Sequence, residues 1–244
     1  MKARGFVLIG LMMFFFLGRT APAQAQFDKL FKNFKSILGA QELSEDKIVR
    51  GLKEALRVGA ENAVDVVSQV NGYYKNARIR IPLPEPVKKV ENVLRAVGYG
   101  SLVDDFEKSM NRAAERASPQ AKELLWQAVR RLSFSDARKI LNGRENEATL
   151  YLKDKTEGEL GQTFKPPIHE AMAEVGVTKS FQQLNDKLRA MPLTNTVSFD
   201  LDQYVTDKAL DGLFVMLAQE EKKIRQDPAA RVTDLLKEVF GQAK

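Results

Sequence analysis

Apolar residues recur at three- and four-residue spacing along most of the chain downstream of Leu43, the period of helices that bury one face. The first clear stripe runs Ile48, Leu52, Ala55, Leu56, Ala63, Val66, Val67 and Val70. Ser44 supplies its N-cap, Glu45 and Asp46 put acids in the first turn, and Asn71-Gly72 is the stop. Val87, Val90, Val93, Leu94 and Val97 predict a helix that opens at Pro86 and ends at Gly98. Leu102, Val103, Phe106, Met110, Ala113 and Ala117 define the next. Ser118-Pro119 caps and starts its successor, which carries Leu124, Leu125, Ala128 and Leu132. A shorter helix follows Ser135 and is expected to end in a left-handed residue at Asn142-Gly143.

The later half repeats this style. Ala148 and Leu152 predict a short helix, and Leu160, Phe164, Ile168, Met172 and Val175 follow as far as Gly176. Pro166-Pro167 inside that run predicts two pieces or one kinked helix. Phe181, Leu184 and Leu188 give a further helix before a loop over 191–198. The strongest element opens near Asp200 and carries Tyr204, Val205, Leu210, Leu213, Phe214, Met216 and Leu217, apolar on more than one face and so the expected centre of the core. Glu220 to Arg225 reads as a solvated, internally ion-paired helix end. Asp227-Pro228 caps a last helix with Val232, Leu235, Leu236, Val239 and Phe240 as its stripe. Only Arg78-Ile-Arg-Ile81 alternates like a strand, and Pro82, Pro84 and Pro86 follow at once, so it is an extended connector. The fold class is therefore all-α: a single-domain multi-helix bundle of about nine or ten helices, mostly antiparallel neighbours because the capped connections are short. Two helix–Gly–helix corners, at Gly98 and Gly176, fit duplicated hairpins or the frequent reuse of this corner.

The first residues follow another rule. Lys2 and Arg4 precede an apolar stretch from Phe6 to Leu17, and Ala21-Pro-Ala-Gln-Ala25 follows, the pattern of a secretory signal peptide. A dozen apolar residues span about 18 Å as a helix, short of the roughly 30 Å hydrocarbon core. Cleavage after Ala25 is expected, with Ala23 the alternative, and no cysteine stands there to be acylated. The expected organisation is a signal peptide over 1–25, an amphipathic N-terminal helix over 26–42 and an all-helical domain over 43–244, in a protein exported to the periplasm or secreted. The segment carries Lys2, Arg4 and Arg19 and no acid, so the net charge of +6 falls by three, to +3. A basic balance that small does not argue for nucleic acid, which needs a clustered patch.

Composition narrows the chemistry. With no cysteine, disulfide scaffolds, thiolate zinc sites and cysteine nucleophiles are excluded, and with one histidine so is any mechanism that needs two imidazoles. Gly98-Tyr-Gly100 lacks the third glycine of a dinucleotide loop and follows a helix rather than a strand, so it reads as a helix corner. His169 has Lys165, Pro166, Met172 and Ala173 at helical spacing, none of them an acid or a metal ligand. The adjacent pairs Asp104-Asp105 and Glu220-Glu221 point about 100° apart on a helix and do not face each other. No catalytic, cofactor-binding or metal-ligating residue is assigned.

Four segments, in order, carry a family resemblance: Ile81-Pro-Leu-Pro-Glu-Pro86, Phe106-Glu-Lys-Ser-Met-Asn-Arg-Ala-Ala-Glu115, Thr206-Asp-Lys-Ala-Leu-Asp-Gly-Leu-Phe214 and Asp227-Pro-Ala-Ala-Arg231. The chain from Leu43 to Gly241 resembles a bacterial family known only as domain of unknown function 4197. The resemblance implies an exported, all-helical protein and brings no activity, cofactor or catalytic residue. Asn111 and Arg112 fall opposite Phe106 and Met110, on the polar side of their helix, where surface or inter-helix hydrogen bonding is expected.

Without a catalytic constellation, the expected function is a non-catalytic envelope protein that binds a partner protein, a membrane surface or an apolar small molecule. A hydrolase-type enzyme using carboxylates and Asn or Arg from separate helices, and a structural or stress-related protein without a ligand, are the alternatives. The candidate contact segment opens the mature chain. Phe27, Leu30, Phe31, Phe34, Ile37 and Leu38 fall within about 120° of a helical wheel, with Lys29, Lys32 and Lys35 on the flank and back. That pattern suits an interfacial helix on anionic lipid, or equally a stripe docked on the core.

Overall fold

The three-and-four spacing becomes helix throughout the computed structural model, which describes residues 45–174, 176–190 and 199–227 together with 231, 234 and 237. In chain order the elements are α1 (Glu45–Ser68), α2 (Glu85–Ala96), α3 (Gly100–Ala117), a 3-10 turn (Ser118–Gln120), α4 (Ala121–Arg130), α5 (Phe134–Asn142), α6 (Glu147–Glu174), α7 (Val177–Arg189) and α8 (Leu201–Gln226). Among the described residues there is no strand, and the fold is all-α as the periodicity requires. The expected nine or ten helices are not reached among those residues. The stripes at 27–38 and 232–240, the loop at 191–198 and the segment before Glu45 lie outside them.

Two expected helices are one. The short helix at Ala148–Leu152 continues through Gly158 and Gly161 into the run ending at Glu174, giving a 28-residue α6 with Pro166 and Pro167 inside it. Neither proline has an N–H, so the carbonyls of Gln162 and Thr163 lose their usual partners four residues on. Gln162 and Thr163 are both exposed, so their freed carbonyls face solvent rather than the core. Packing holds the helix together, since Leu152, Thr156, Leu160, Phe164, Ile168 and Met172 are buried at every fourth position. A stripe of period four drifts around a helix of period 3.6, so α6 meets different neighbours along its length. It packs on α8 from Ala148 to His169, and on α3, α4, α5 and α7 as well.

The caps differ in detail from the sequence reading. α5 is capped by Ser133, not Ser135, in a capping box with Asp136. Gly143 is extended (φ −85°, ψ −165°) rather than left-handed. It is glycine for lack of room, because a Cβ there would lie 2.4 Å from Cγ of Glu147. Ser118 does not cap a new helix; its buried hydroxyl donates to the Ala114 carbonyl (2.7 Å) as α3 tightens into the 3-10 turn. The two glycine corners do form, with Gly98 at φ +88° and Gly176 at φ +81°.

α6 and α8 form the antiparallel centre of one compact unit, Leu43–Lys244. Val205, Ala209, Leu210, Leu213, Phe214, Met216 and Leu217 of α8 are all buried, on more than one face. Between α1 and α2 the chain runs from Gln69 to Pro84 as turns and extended backbone, and this strap sinks Tyr73, Ile79, Ile81 and Leu83 into the core.

Candidate functional site

Among the described residues, most buried polar side chains hold backbone. Glu115, 3% exposed, accepts the N–H groups of Tyr73 and Tyr74 (both 3.1 Å) on one oxygen and Arg112 on the other. Arg112 also donates to the side-chain oxygen of Asn71 (2.8 Å), which turns the chain at φ +74°. Asn111, fully buried, donates to the carbonyls of Ile81 and Glu107 and accepts the Ile81 N–H, each at 2.8 Å. Of the surface or inter-helix hydrogen bonding expected for Asn111 and Arg112, Asn111 shows the buried kind, made to the strap between α1 and α2 rather than to another helix or to solvent. Asn111, Glu115 and Ser118 form a second buried stripe at four- and three-residue spacing, facing the strap.

The strap is tied to α8 as well. Burial raises the Tyr73 phenol above its ordinary range, and its hydroxyl donates to the Ala209 carbonyl (2.7 Å). Tyr204, pushed up to about 12 chiefly by burial, donates to the Pro82 carbonyl (2.9 Å). A Cβ on Gly212 would sit 2.6 Å from Cε1 of Tyr73. Three of the segments that carry the resemblance, around Ile81, Asn111 and Gly212, thus meet at one place, and their work there is architectural. The fourth behaves alike at Arg231, which donates to the carbonyls of Ile224 (3.0 Å) and Arg225 (2.8 Å), closing the end of α8.

A second clamp corrects the reading of Glu220 to Arg225 as a solvated helix end. Glu220 and Glu221 are 6% and 9% exposed. Glu221 accepts the N–H groups of Ala148 (3.0 Å) and Thr149 (2.8 Å) and the Thr149 hydroxyl (2.8 Å), capping α6 from outside its own chain segment. Arg225 pairs with Glu221 at 2.9 Å and donates to the Ile140 carbonyl (2.8 Å) near the end of α5. Glu220 accepts from Asn62 of α1 (3.2 Å) and pairs with Lys223.

Outside these ties the α6/α8 seam opens into a groove of about 480 Å³ lined by Glu157, Gly158, Gly161, Gln162, Lys165, Gln203, Asp207, Leu210 and Asp211. A Cβ on Gly158 or Gly161 would meet nothing within 4 Å, so the α6 wall is bare backbone in the middle of a helix. Lys153 closes one end, 3.3 Å from Glu157 and 3.9 Å from Asp211. Lys165 marks the other, donating to Asp200 (3.1 Å) and Gln203 (3.3 Å). The Gln203 N–H, with Lys165 second, holds the Asp200 carboxyl below its ordinary value. Asp207 of the Thr206–Phe214 segment accepts from the Gln203 amide at 2.7 Å. A small apolar crevice between α1 and α8, beside Leu52, Leu56 and Ile224, has about 20 Å³, room for a single water.

One turn beyond Lys165, His169 has company that its own helix does not provide. Its Nδ1 lies 2.7 Å from Oδ2 of Asp202, an exposed pair across the seam. Asp104 and Asp105 are both exposed, and Asp104 is paired with Arg95 (2.7 Å). No cluster of three or more metal-ligating His, Asp or Glu occurs among the described residues. The expected contact residues Phe27, Lys29, Leu30, Phe31, Lys32, Phe34, Lys35, Ile37 and Leu38 lie outside the described part. Sequence reasoning missed Glu115 and Glu221 for one reason. Glu221 continues the buried series Leu210, Leu213 and Leu217 in phase, so a charged residue at an apolar position was the available signal.

No curated protein and no solved structure matches the chain. One family model, described as a protein of unknown function, matches residues 42–241, a span that contains α1 to α8 and the strap. The chain belongs to that family, DUF4197.

Proposed function

We propose that the protein is an exported, non-catalytic binding protein whose α6/α8 groove receives a polypeptide segment of a partner. The observation that carries this reading is the bare backbone of Gly158 and Gly161. A glycine inside a helix costs roughly 0.5–1 kcal/mol relative to alanine. Alanine would fit at both positions without contact, so packing inside this chain does not call for glycine. A partner's backbone lying close against α6 does. The groove is open and polar, and its charged groups are paired along its walls rather than buried, which suits holding rather than acid–base chemistry. Export rests on the first 25 residues. No helix among the described residues is long and apolar enough to cross a membrane.

A photo-crosslinking residue in place of Gln162, in cells expressing the full chain, tests the reading. The expected result is a discrete protein adduct that disappears when Gly161→Leu fills the groove, while the same probe at Asp105 gives none. An adduct unchanged by Gly161→Leu, or only a small molecule bound to the purified protein by native mass spectrometry, contradicts it.

A further inference from the structure

The end of α1 and the start of the strap make a second surface, away from the groove. Val70 is 76% exposed and Val66, one turn earlier on the same face, 37%. They border a shallow open depression shared with Lys75, Asn76, Ala77 and Arg78. The Asn76 side chain reaches Sδ of Met216 (3.6 Å), which fastens the rim of this depression to α8. Lys75 and Arg78 are exposed, and neither side chain has an acidic partner among the described residues. From Asp65 to Arg80 the chain carries Lys75, Arg78 and Arg80 against the single acid Asp65. Arg80 is engaged by Glu107 of α3 (2.6 Å) and stacks on the Tyr74 ring.

We propose that this face is a peripheral docking surface for an anionic lipid membrane. Short valines on the rim of a shallow, open depression enter a headgroup boundary without needing a shaped pocket, while flanking cations meet lipid phosphates. A protein groove would need the reverse, a concave apolar floor with a few placed polar groups. The Glu115 clamp lies directly behind, so the strap presents Lys75 and Arg78 from a fixed backbone. This surface is independent of the α6/α8 reading and of the stripe at 27–38.

Flotation of the purified mature protein with vesicles tests it. One set holds equal parts phosphatidylglycerol and phosphatidylcholine, the other phosphatidylcholine alone. The protein should float with the anionic set only, and less as salt rises. Val66→Ser with Val70→Ser, and separately Lys75→Glu with Arg78→Glu, should each reduce the bound fraction about tenfold or more. Because all four side chains are solvent-facing, thermal unfolding should be unchanged in both variants. Equal flotation with neutral vesicles, no flotation of the parent protein, or flotation retained in either variant overturns the proposal. Retention in both would assign the binding to 27–38. An acidic protein crosslinked at Arg78 in place of lipid overturns it too.

Discussion

The two halves of α6 are held in opposite ways. At its start, the N–H groups of Ala148 and Thr149 are captured by Glu221, a buried carboxylate from α8 that is itself paired with Arg225. Further along, Gly158 and Gly161 weaken the same helix where it borders the open groove, and Pro166 and Pro167 do so just beyond Lys165. A helix ordinarily frays at its ends and is firmest in the middle; here the end is pinned and the middle is loosened. The strap between α1 and α2 repeats the lesson with no regular structure at all. Glu115, Asn111, Tyr73 and Tyr204 tie it to α3 and α8. Order in this molecule follows long-range side-chain-to-backbone ties more than local helix propensity.

The contrast breaks most visibly if a clamp is removed. Glu221→Ala leaves the half-buried Arg225 without its carboxylate and frees two amides at the head of α6. Glu115→Ala does the same to Arg112 and the strap. Each should cost about 3–5 kcal/mol in denaturant unfolding. A loss below about 1 kcal/mol, the range of an exposed ion pair, would mean that the clamps are incidental. Gly212→Ala attacks the pinned side sterically, since the fully buried Tyr73 ring cannot retreat while its hydroxyl stays on Ala209. A loss of about 1–3 kcal/mol is expected.

On the groove side the sign reverses. Gly158→Ala and Gly161→Ala should each stabilise the protein by roughly 0.5–1 kcal/mol, because the added methyl meets nothing and helix propensity improves. A destabilised double variant would place an unseen contact on that wall. The smallest effect concerns acid. Asp200 is ionised more readily in the folded protein than its ordinary value of 3.8, so its contribution is present above that value and lost as pH falls through the lowered one. Asp200→Asn keeps the cap on Gln203 but removes the charge. It should therefore flatten a small part of the stability change below pH 4, small because an exposed carboxylate is screened. An identical acid limb in both proteins would count against it.

Much of this was legible from the sequence. The stripes from Ile48, Val87, Leu102 and Phe181 and the start of α8 near Asp200 appear where periodicity puts them, because each depends on neighbours a few positions away. The merger of two helices into α6 was hidden, since Pro166 and Pro167 are local helix breakers whose cost is offset by the burial of Leu160, Phe164 and Ile168. The clamps were hidden for a different reason. Glu115 and Glu221 find partners 42 and 73 residues away, and single-sequence reasoning about a charged side chain defaults to solvent. The groove was half legible: Gly158 and Gly161 stand out in a helical run, but only the fold brings Gln203, Asp207 and Asp211 opposite them. His169 shows the same limit, its partner Asp202 lying on another helix.

Native-state hydrogen exchange, read residue by residue along α6, tests the central contrast most directly. The amides of Ala148 and Thr149, with those of Tyr73, Tyr74 and Ile81, should open only with global unfolding. Those from Gly161 to Lys165 should open at a free energy about 2 kcal/mol or more below it. The usual pattern, with exchange fastest at the head of α6 and slowest through Gly161, would contradict the account.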